Sequence, residues 1–310
     1  MYNAEKYLHR AVESVLIQRD VKELIIVEDG STDDSLRICR RLATTDQRIV
    51  ILQHPGNKNY GVSVTRNLGI KRASSEFVAF LDADDYYLPD RFVTTKQRFD
   101  SDPSIDGVYE IIGLRRGSPE IKPHTCIQIV APDELFENLA PLGDKLWFHI
   151  NGLTVKRQVF NQAGFFDESL RTSEDTLQWL KMAATTTLVN GNITYPVAVT
   201  EKHPEGLSAD RTRVQKDFIL MLFKLFKWCK KINCKRSRKE LVMRKLFGFS
   251  FSPLHHSGAN RFDKILLLLK LITADPTYVL FRSSTFRHYA SNLVGYHRAL
   301  YFMKKIASRA

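Results

Sequence analysis

The chain has 310 residues, with 46 Lys and Arg against 34 Asp and Glu, for a formal net charge of +12. Its 44% hydrophobic and 26% charged residues are ordinary for a globular protein, and no repeat or low-complexity segment interrupts them. The length suits one large domain or two unequal ones. Four scattered cysteines (Cys39, Cys126, Cys229 and Cys234) form no Cys-x-x-Cys pair. That pattern fits a reducing compartment without structural zinc, and no secretory leader is read at the start.

The charge is unevenly spread. Residues 1–213 carry 26 basic against 30 acidic side chains, whereas residues 214–310 carry 20 against 4. A basic region on a nearly neutral body implies a polyanionic partner, an anionic membrane surface or nucleic acid, unless the charge only solubilises a face.

In chain order, Leu8, Val12, Val15 and Leu16 repeat at helical spacing and predict a first helix. Leu24–Val27 reads as a strand ending at Glu28-Asp29-Gly30. Ser31 is placed to cap the next helix, with Asp33 and Asp34 favoured in its first turn. Ile49–Leu52 is a second strand, closed by His54-Pro55-Gly56-Asn57, and a helix over Val62–Arg72 follows. The apolar run Glu76–Leu81 is a third strand, stopping at Asp82-Ala83-Asp84-Asp85. This alternation predicts an α/β fold with right-handed crossovers, helices flanking a mostly parallel sheet. Residues 104–155 are less regular, with Phe148–Val155 returning as a strand, then helices around Arg157–Ala163 and Asp175–Thr185. Beyond residue 212 the character changes. Phe218–Phe223 is followed by Lys224, Lys227 and Lys231 on one helical face, and Lys264 and Lys270 bracket the apolar Ile265–Leu269. Neither run approaches the roughly 20 apolar residues of a spanning helix. They read as amphipathic helices lying on a bilayer, packing on the body or meeting another partner. The division is therefore residues 1–212 and a basic, helical 213–310.

Three carboxylates within four residues at a strand end repel one another unless a cation joins them, and hard cations such as Mg²⁺ or Mn²⁺ prefer oxygen ligands. Strand ends of open α/β sheets are also where ligands bind. A solvated acidic turn ahead of the helix near Pro89 is the plainer reading. Asp29, before a glycine, suits a nucleobase N–H or a helix cap. Tyr2 suits base stacking or a frayed end. Arg66 and Asn67, near a helix start, suit ribose or phosphate oxygens, with Arg66 alternatively a surface charge. Glu174-Asp175 is either functional or the acidic first turn of a helix, and His203 either a metal ligand or an ordinary loop histidine.

Six elements now stand in order: Tyr2-Asn3-Ala4-Glu5, Glu28–Asp33, Gly61–Gly69, Asp82–Asp85, Ser173-Glu174-Asp175 and Lys202–Ser208. Over residues 2–210 the set resembles glycosyltransferase family 2, the inverting sugar-nucleotide transferases of GT-A fold. The resemblance implies a nucleotide-sugar donor, most readily a UDP-sugar, and a divalent cation (Mn²⁺ or Mg²⁺). It places Tyr2, Asn3, Asp29, Arg66, Asn67 and Asp82 at the donor, and Asp84 and His203 at the metal. Asp175 falls to the general base, with Asp85 and Glu174 as supports. The implied acceptor is a surface glycan or a lipid-linked sugar. The basic region would hold the chain at the cytoplasmic face of a membrane.

Two departures stand out. Relatives open with an apolar strand ending in Pro-x-Tyr-Asn, whereas this chain starts at Met1-Tyr2-Asn3, so either the start is misplaced, or the chain is a fragment, or the neighbouring strands lack a ladder partner and the site is weakened. Glu28 stands where relatives often carry Asp. A haloacid-dehalogenase phosphatase, a sugar-nucleotide pyrophosphorylase and a calcium loop fit the residues around Asp82 poorly. A non-catalytic sugar-nucleotide-binding or scaffold protein is the alternative from another class, and a nucleic-acid-binding tail lacks any recognised module.

Overall fold

Apolar periodicity places the first elements. In the computed structural model, which describes residues 1–117, 119–125, 128–202 and 211–251, helix α1 (Leu8–Leu16) buries Leu8, Val12 and Val15 on one stripe. Strands β1 (Leu24–Glu28) and β2 (Ile49–Gln53) pair in parallel, Leu24 opposite Ile49 and Glu28 opposite Gln53, through the crossover helix α2 (Ser35–Ala43). Helix α3 (Val62–Arg72) packs on β1. Then come β3 (Phe77–Ala79), β4 (Tyr86–Tyr87), α4 (Val93–Ser101), β5 (Gly107–Tyr109), β6 (Gly113–Arg115), β7 (Lys122–Pro123) and α5 (Leu135–Asn138). The first compact unit, Met1–Ala209, closes with β8 (Leu153–Lys156), α6 (Val159–Ala163), α7 (Glu174–Thr185), β9 (Leu188–Asn190) and β10 (Ala198–Glu201).

Pairing beyond β1–β2 is mixed. The order β3–β8–β5–β9 is antiparallel at β3–β8 and β8–β5 and parallel at β5–β9. A second set, β4–β10–β6–β7, is parallel only at β10–β6. Parallel neighbours need a crossover, which β1–α2–β2 has; β8 returns after the long irregular stretch and is free to run either way. Its expected span is also shortened. Ile150–Gly152 forms a 3₁₀ turn capped by His149, and the strand begins only at Leu153. Gly152 lies so close to the Glu110 carbonyl that a side chain there has no room. Leu153, Val155, Val108, Tyr109, Leu180 and Leu188 are fully buried and form the centre of this layer.

An ion pair is sealed under the same sheet. Arg91 Nη1 lies 2.5 Å from Glu110 Oε2, with both side chains fully buried. Thr95 Oγ1 donates to Glu110 Oε2 (2.7 Å), the Asn192 amide donates to Oε1 (3.0 Å), and Arg91 Nε donates to the Asn151 carbonyl (3.2 Å). Such a pair offsets the cost of desolvation only because its remaining donors and acceptors are satisfied.

Between β1 and β3 the layer is interrupted. A cavity of about 640 Å³ separates them, lined among others by Ile26, Val27, Ile70, Val78 and Phe80. At its rim the Met1 ammonium donates to the Val27 carbonyl (2.8 Å) and the Asp29 amide donates to the Met1 carbonyl (2.9 Å), which is a parallel bridge one residue long. Burial pushes that ammonium below its usual pKa, against the pull of Asp29 and Asp82.

The second unit begins at Asp210. Its described part is α8 (Arg211–Lys231) and α9 (Arg236–Phe251), which pack side by side. Phe218 near the start of α8 meets Phe249 near the end of α9, ring centroids 4.7 Å apart, so the helices form an antiparallel hairpin. Among the described residues no helix is long and apolar enough to cross a membrane. The run Ile265–Leu269 lies outside them.

Candidate donor and catalytic site

The site is assembled at the ends of β1 and β3 and the start of α7. After β1 the chain turns at Gly30, whose φ of +75° and approach to the Asn59 amide (2.7 Å from an added Cβ) admit only glycine. Asp29 is buried beside it. Its Oδ1 accepts from the Tyr60 amide (2.7 Å) and its Oδ2 from the Gly61 amide (3.0 Å), so it fixes the entry to α3. A carboxylate has about four acceptor positions, which leaves capacity for a further donor. Asn3, in the left-handed region at φ 47°, accepts from the Thr32 amide (2.9 Å) and latches the N-terminal segment onto the loop after β1. Tyr2 is half exposed at 49% and open to stacking.

Arg66 is the junction. From α3 its Nη2 donates to Asp82 Oδ1 (2.9 Å) and its Nη1 to Glu174 Oε1 (2.8 Å). One half-buried guanidinium thereby joins the acidic turn after β3 to the first turn of α7. Burial works against the charge of Asp82, but Arg66 and then His149 hold its carboxyl below the usual range. Glu174 goes the other way. Burial first, and Asp175 second, push it up to about 7. Ser173 precedes it at φ 63°, a left-handed conformation that costs about 1–3 kcal/mol and aims the next two side chains. Asp175 is half-buried, its Oδ1 accepting from the Thr176 amide (2.5 Å) and hydroxyl (3.2 Å).

The remaining acids take separate tasks. Asp85 is buried and accepts from Asn151 Nδ2 (2.5 Å), Thr200 Oγ1 (3.1 Å) and the Glu201 amide (3.0 Å), which tie the turn to β10. Burial, then Asp82 and Asp84, push it up to about 8. Asp84 is half-buried in the same turn. Asn151 also accepts from the Asp82 amide (3.1 Å), so one amide serves both carboxylate residues.

Asp82, Asp85 and His149 bring one ligand atom each within 4.8 Å of one another. Two carboxylate oxygens and an imidazole nitrogen suit Mn²⁺, and the raised Asp85 marks a crowded negative site that a cation relieves. This trio differs from the expected pair. Asp84 is not part of it, and His203 lies outside the described residues. His149 and Asn151 were not anticipated. Their signal was two polar residues spaced by one within the apolar run Phe148–Val155.

Asn67 sits elsewhere than expected. It is buried, with Nδ2 donating to the Phe166 carbonyl (3.0 Å) and Glu168 Oε1 (2.9 Å), and Oδ1 accepting from the Phe166 amide (3.0 Å). Its neighbour in sequence, Arg66, faces the acids while Asn67 staples the helix to the 166–168 loop.

Residues 1–165, just over half the chain, match the family described as Glycosyl transferase family 2. The chain belongs to that family. An uncharacterized glycosyltransferase of Rickettsia felis is 30% identical over 188 residues, 59% of this chain and 30% of its own. EpsJ of Bacillus subtilis, also an uncharacterized glycosyltransferase, is 29% identical over 187 residues, 57% and 52%. The minor teichoic acid biosynthesis protein GgaA of Bacillus subtilis is 29% identical over 189 residues, 57% and 40%. The chain thus spans about a third to a half of these relatives. Among solved structures, Staphylococcus aureus TarS 1–349 in complex with UDP-GlcNAc superposes at a TM-score of 0.66 with 18% identity, covering 96% of this chain and 88% of that one. A Pyrobaculum calidifontis mannosyltransferase with GDP-Man and Mn²⁺ gives 0.55 with 16% identity, covering 97% and 84%. These likenesses show the fold, a mixed α/β GT-A arrangement.

Proposed function

We propose that the chain is an inverting, cation-dependent glycosyltransferase that moves a sugar from a nucleoside-diphosphate donor, a UDP-sugar, to a hydroxyl of a surface-glycan or lipid-linked acceptor. One observation carries the reading. The Arg66 guanidinium binds the donor-side Asp82 and the base-side Glu174 at once, so both halves of a transfer site meet around one group. The nucleotide complexes of GT-A neighbours support the donor class. Residues 1–212 would form the transferase domain and residues 213–310 its basic region, acting at the cytoplasmic face of an anionic membrane.

Asp29 would accept from the nucleobase N–H with the capacity its two backbone donors leave, and Tyr2 would stack on the base. Asp82 would receive the ribose hydroxyls. Asp85 and His149, whose ligand atoms lie beside that of Asp82, would hold a divalent cation with Asp84 of the same turn in support, and the cation would supply charge to the leaving diphosphate. Asp175 would take the acceptor hydroxyl proton as that oxygen bonds to the anomeric carbon and the bond to the diphosphate breaks. A single displacement from the far side inverts the centre. Arg66 and Glu174 keep α7, and with it Asp175, in place.

Asp175→Asn tests this directly. Donor binding should persist while transfer falls about 100-fold or more, measured by calorimetric titration of UDP with Mn²⁺ or EDTA and by turnover of UDP-sugars. Equal transfer by the variant removes Asp175 from the mechanism. The second reading is a sugar-nucleotide-binding or scaffold protein without turnover. UDP binding with no transfer from any UDP-sugar would select it.

A further inference from the structure

The hairpin of α8 and α9 turns at a point where charge is concentrated. Residues 227–239 hold seven Lys and Arg and no acid, with Asp217 and Glu240 outside on either flank. The turn is tight. The Ile232 amide donates to the Trp228 carbonyl (3.1 Å), the Asn233 amide to that of Lys230 (3.0 Å) and the Cys234 amide to that of Cys229 (2.8 Å). Asn233 takes φ 53°, the left-handed position that ends a helix. Lys227, Lys230, Lys231, Lys235 and Arg236 are all exposed at this end. At the apex between them stands Ile232, 38% exposed. The opposite, apolar faces are withdrawn: Leu225, Phe226 and Cys229 on α8 and Val242 and Leu246 on α9 are buried.

We infer that this tip is a docking surface for an anionic lipid bilayer, with Ile232 entering the headgroup boundary and the cations around it resting on lipid phosphates. The inference rests on the membrane placement proposed above and names the surface that makes it. Charge complementarity selects an anionic partner, and the exposed aliphatic apex selects a bilayer over a nucleic acid, whose recognition of single strands relies on exposed aromatic rings. Trp228, the one aromatic in the 227–239 stretch, is only half-exposed. Each cation near an anionic surface is worth about a fivefold gain in partitioning, so a cluster of this size needs no spanning helix to hold the chain reversibly.

The test is co-sedimentation of the full chain with vesicles of phosphatidylglycerol and phosphatidylcholine, or of phosphatidylcholine alone, without donor or acceptor. Binding is expected only to the anionic vesicles and should weaken with salt. The triple variant Lys230→Gln/Lys231→Gln/Lys235→Gln should lose about 100-fold in partitioning, and Ile232→Ser a few-fold. Should the triple variant melt differently from the parent, the pair Lys227→Gln/Arg236→Gln replaces it. No binding to anionic vesicles overturns the inference, as does binding that the variants leave unchanged. Salt-dependent binding to duplex DNA without vesicle binding assigns the tip to a nucleic acid and overturns it as well. Because no sugar is transferred in this assay, its failure leaves the transferase reading standing, and loss of transfer by Asp175→Asn leaves the docking result untouched.

Discussion

The two flanks of β3 are built in opposite ways. On the β8 side, and through the turn that follows, a connected polar network runs from Glu110 to Arg91, from Arg91 to Asn151, from Asn151 to Asp82 and Asp85, and from Asp82 through Arg66 to Glu174. On the β1 side there is a cavity with a largely apolar lining, to which Arg66 and Asp82 of that network also contribute, and a bridge one residue long at Met1. The site's geometry is therefore set by long-range polar links between strand ends. A network of this kind holds each member only while the others are present, so its two ends should be sensitive while the gap should be improvable.

The largest effect is expected at the buried end. Glu110→Ala leaves the Arg91 guanidinium charged and without its carboxylate in a fully buried setting. Loss of a buried partner costs about 3–5 kcal/mol, or about 10 °C in the melting temperature of a domain this size. Replacing both residues with apolar ones, Arg91→Met with Glu110→Leu, should recover most of it. A single variant that melts with the parent would sever this end of the network from stability.

At the other end, Arg66→Met removes both charge-assisted hydrogen bonds, each worth about 1.5–3 kcal/mol. Asp82, Glu174 and Asp175 then share the space without their cation. Transfer should fall about 100-fold with a smaller loss of melting temperature, and Arg66→Lys should recover part of the binding and little of the transfer, because one ammonium cannot bridge both acids with fork geometry. Full activity in Arg66→Met would uncouple the acidic turn from α7.

The gap predicts a gain. A five-residue apolar segment fused ahead of Met1 replaces the buried ammonium with an amide that still donates to Val27, and continues the bridge along β1. Filling part of the cavity should raise the melting temperature by about 4 °C. A control segment containing Pro and Asp, which cannot pair or be buried, should add nothing. Equal melting of the two fusions would mean that the space does not accept a strand.

These outcomes track what was legible in the residues. Helix α1 and strands β1 and β2 follow from apolar spacing alone, because local burial decides them, whereas α3 buries Ser63, Thr65, Asn67 and Ile70 and carries no apolar stripe. The acidic turn was legible from three carboxylates after an apolar run, and Glu174-Asp175 from its place ahead of a helix. His149 and Asn151 were not, because a residue's reach to Asp82 or Asp85 depends on how β8 returns, and the 3₁₀ turn that aims them leaves no periodic trace. Asn67 is a different case. Its place in the motif suggested the donor, while the packing of α3 on the 166–168 loop consumes its amide. Adjacent residues on a helix point about 100° apart, so a motif cannot by itself say which of Arg66 and Asn67 faces the site.

The smallest effect sharpens the rim of the network. His124 lies edge-on to Trp147, centroids 4.8 Å apart, and 6.3 Å from His149. Burial first, then His149, Arg116 and Lys202, push it down to about 4 from 6.5. A histidine whose folded pKa is lowered favours the folded state while neutral. That contribution is complete above about pH 6.5 and drains away as pH falls toward 4. Asp85 and Glu174, both raised, act in the opposite sense as pH falls, so the parent's melting curve alone mixes the two. The difference between the parent and His124→Gln isolates the histidine, since a neutral amide has nothing to protonate. Melting temperatures at pH 7.5 and pH 5 should show the parent losing a degree or two more than the variant. Parallel losses would place His124 in water rather than against Trp147 and His149.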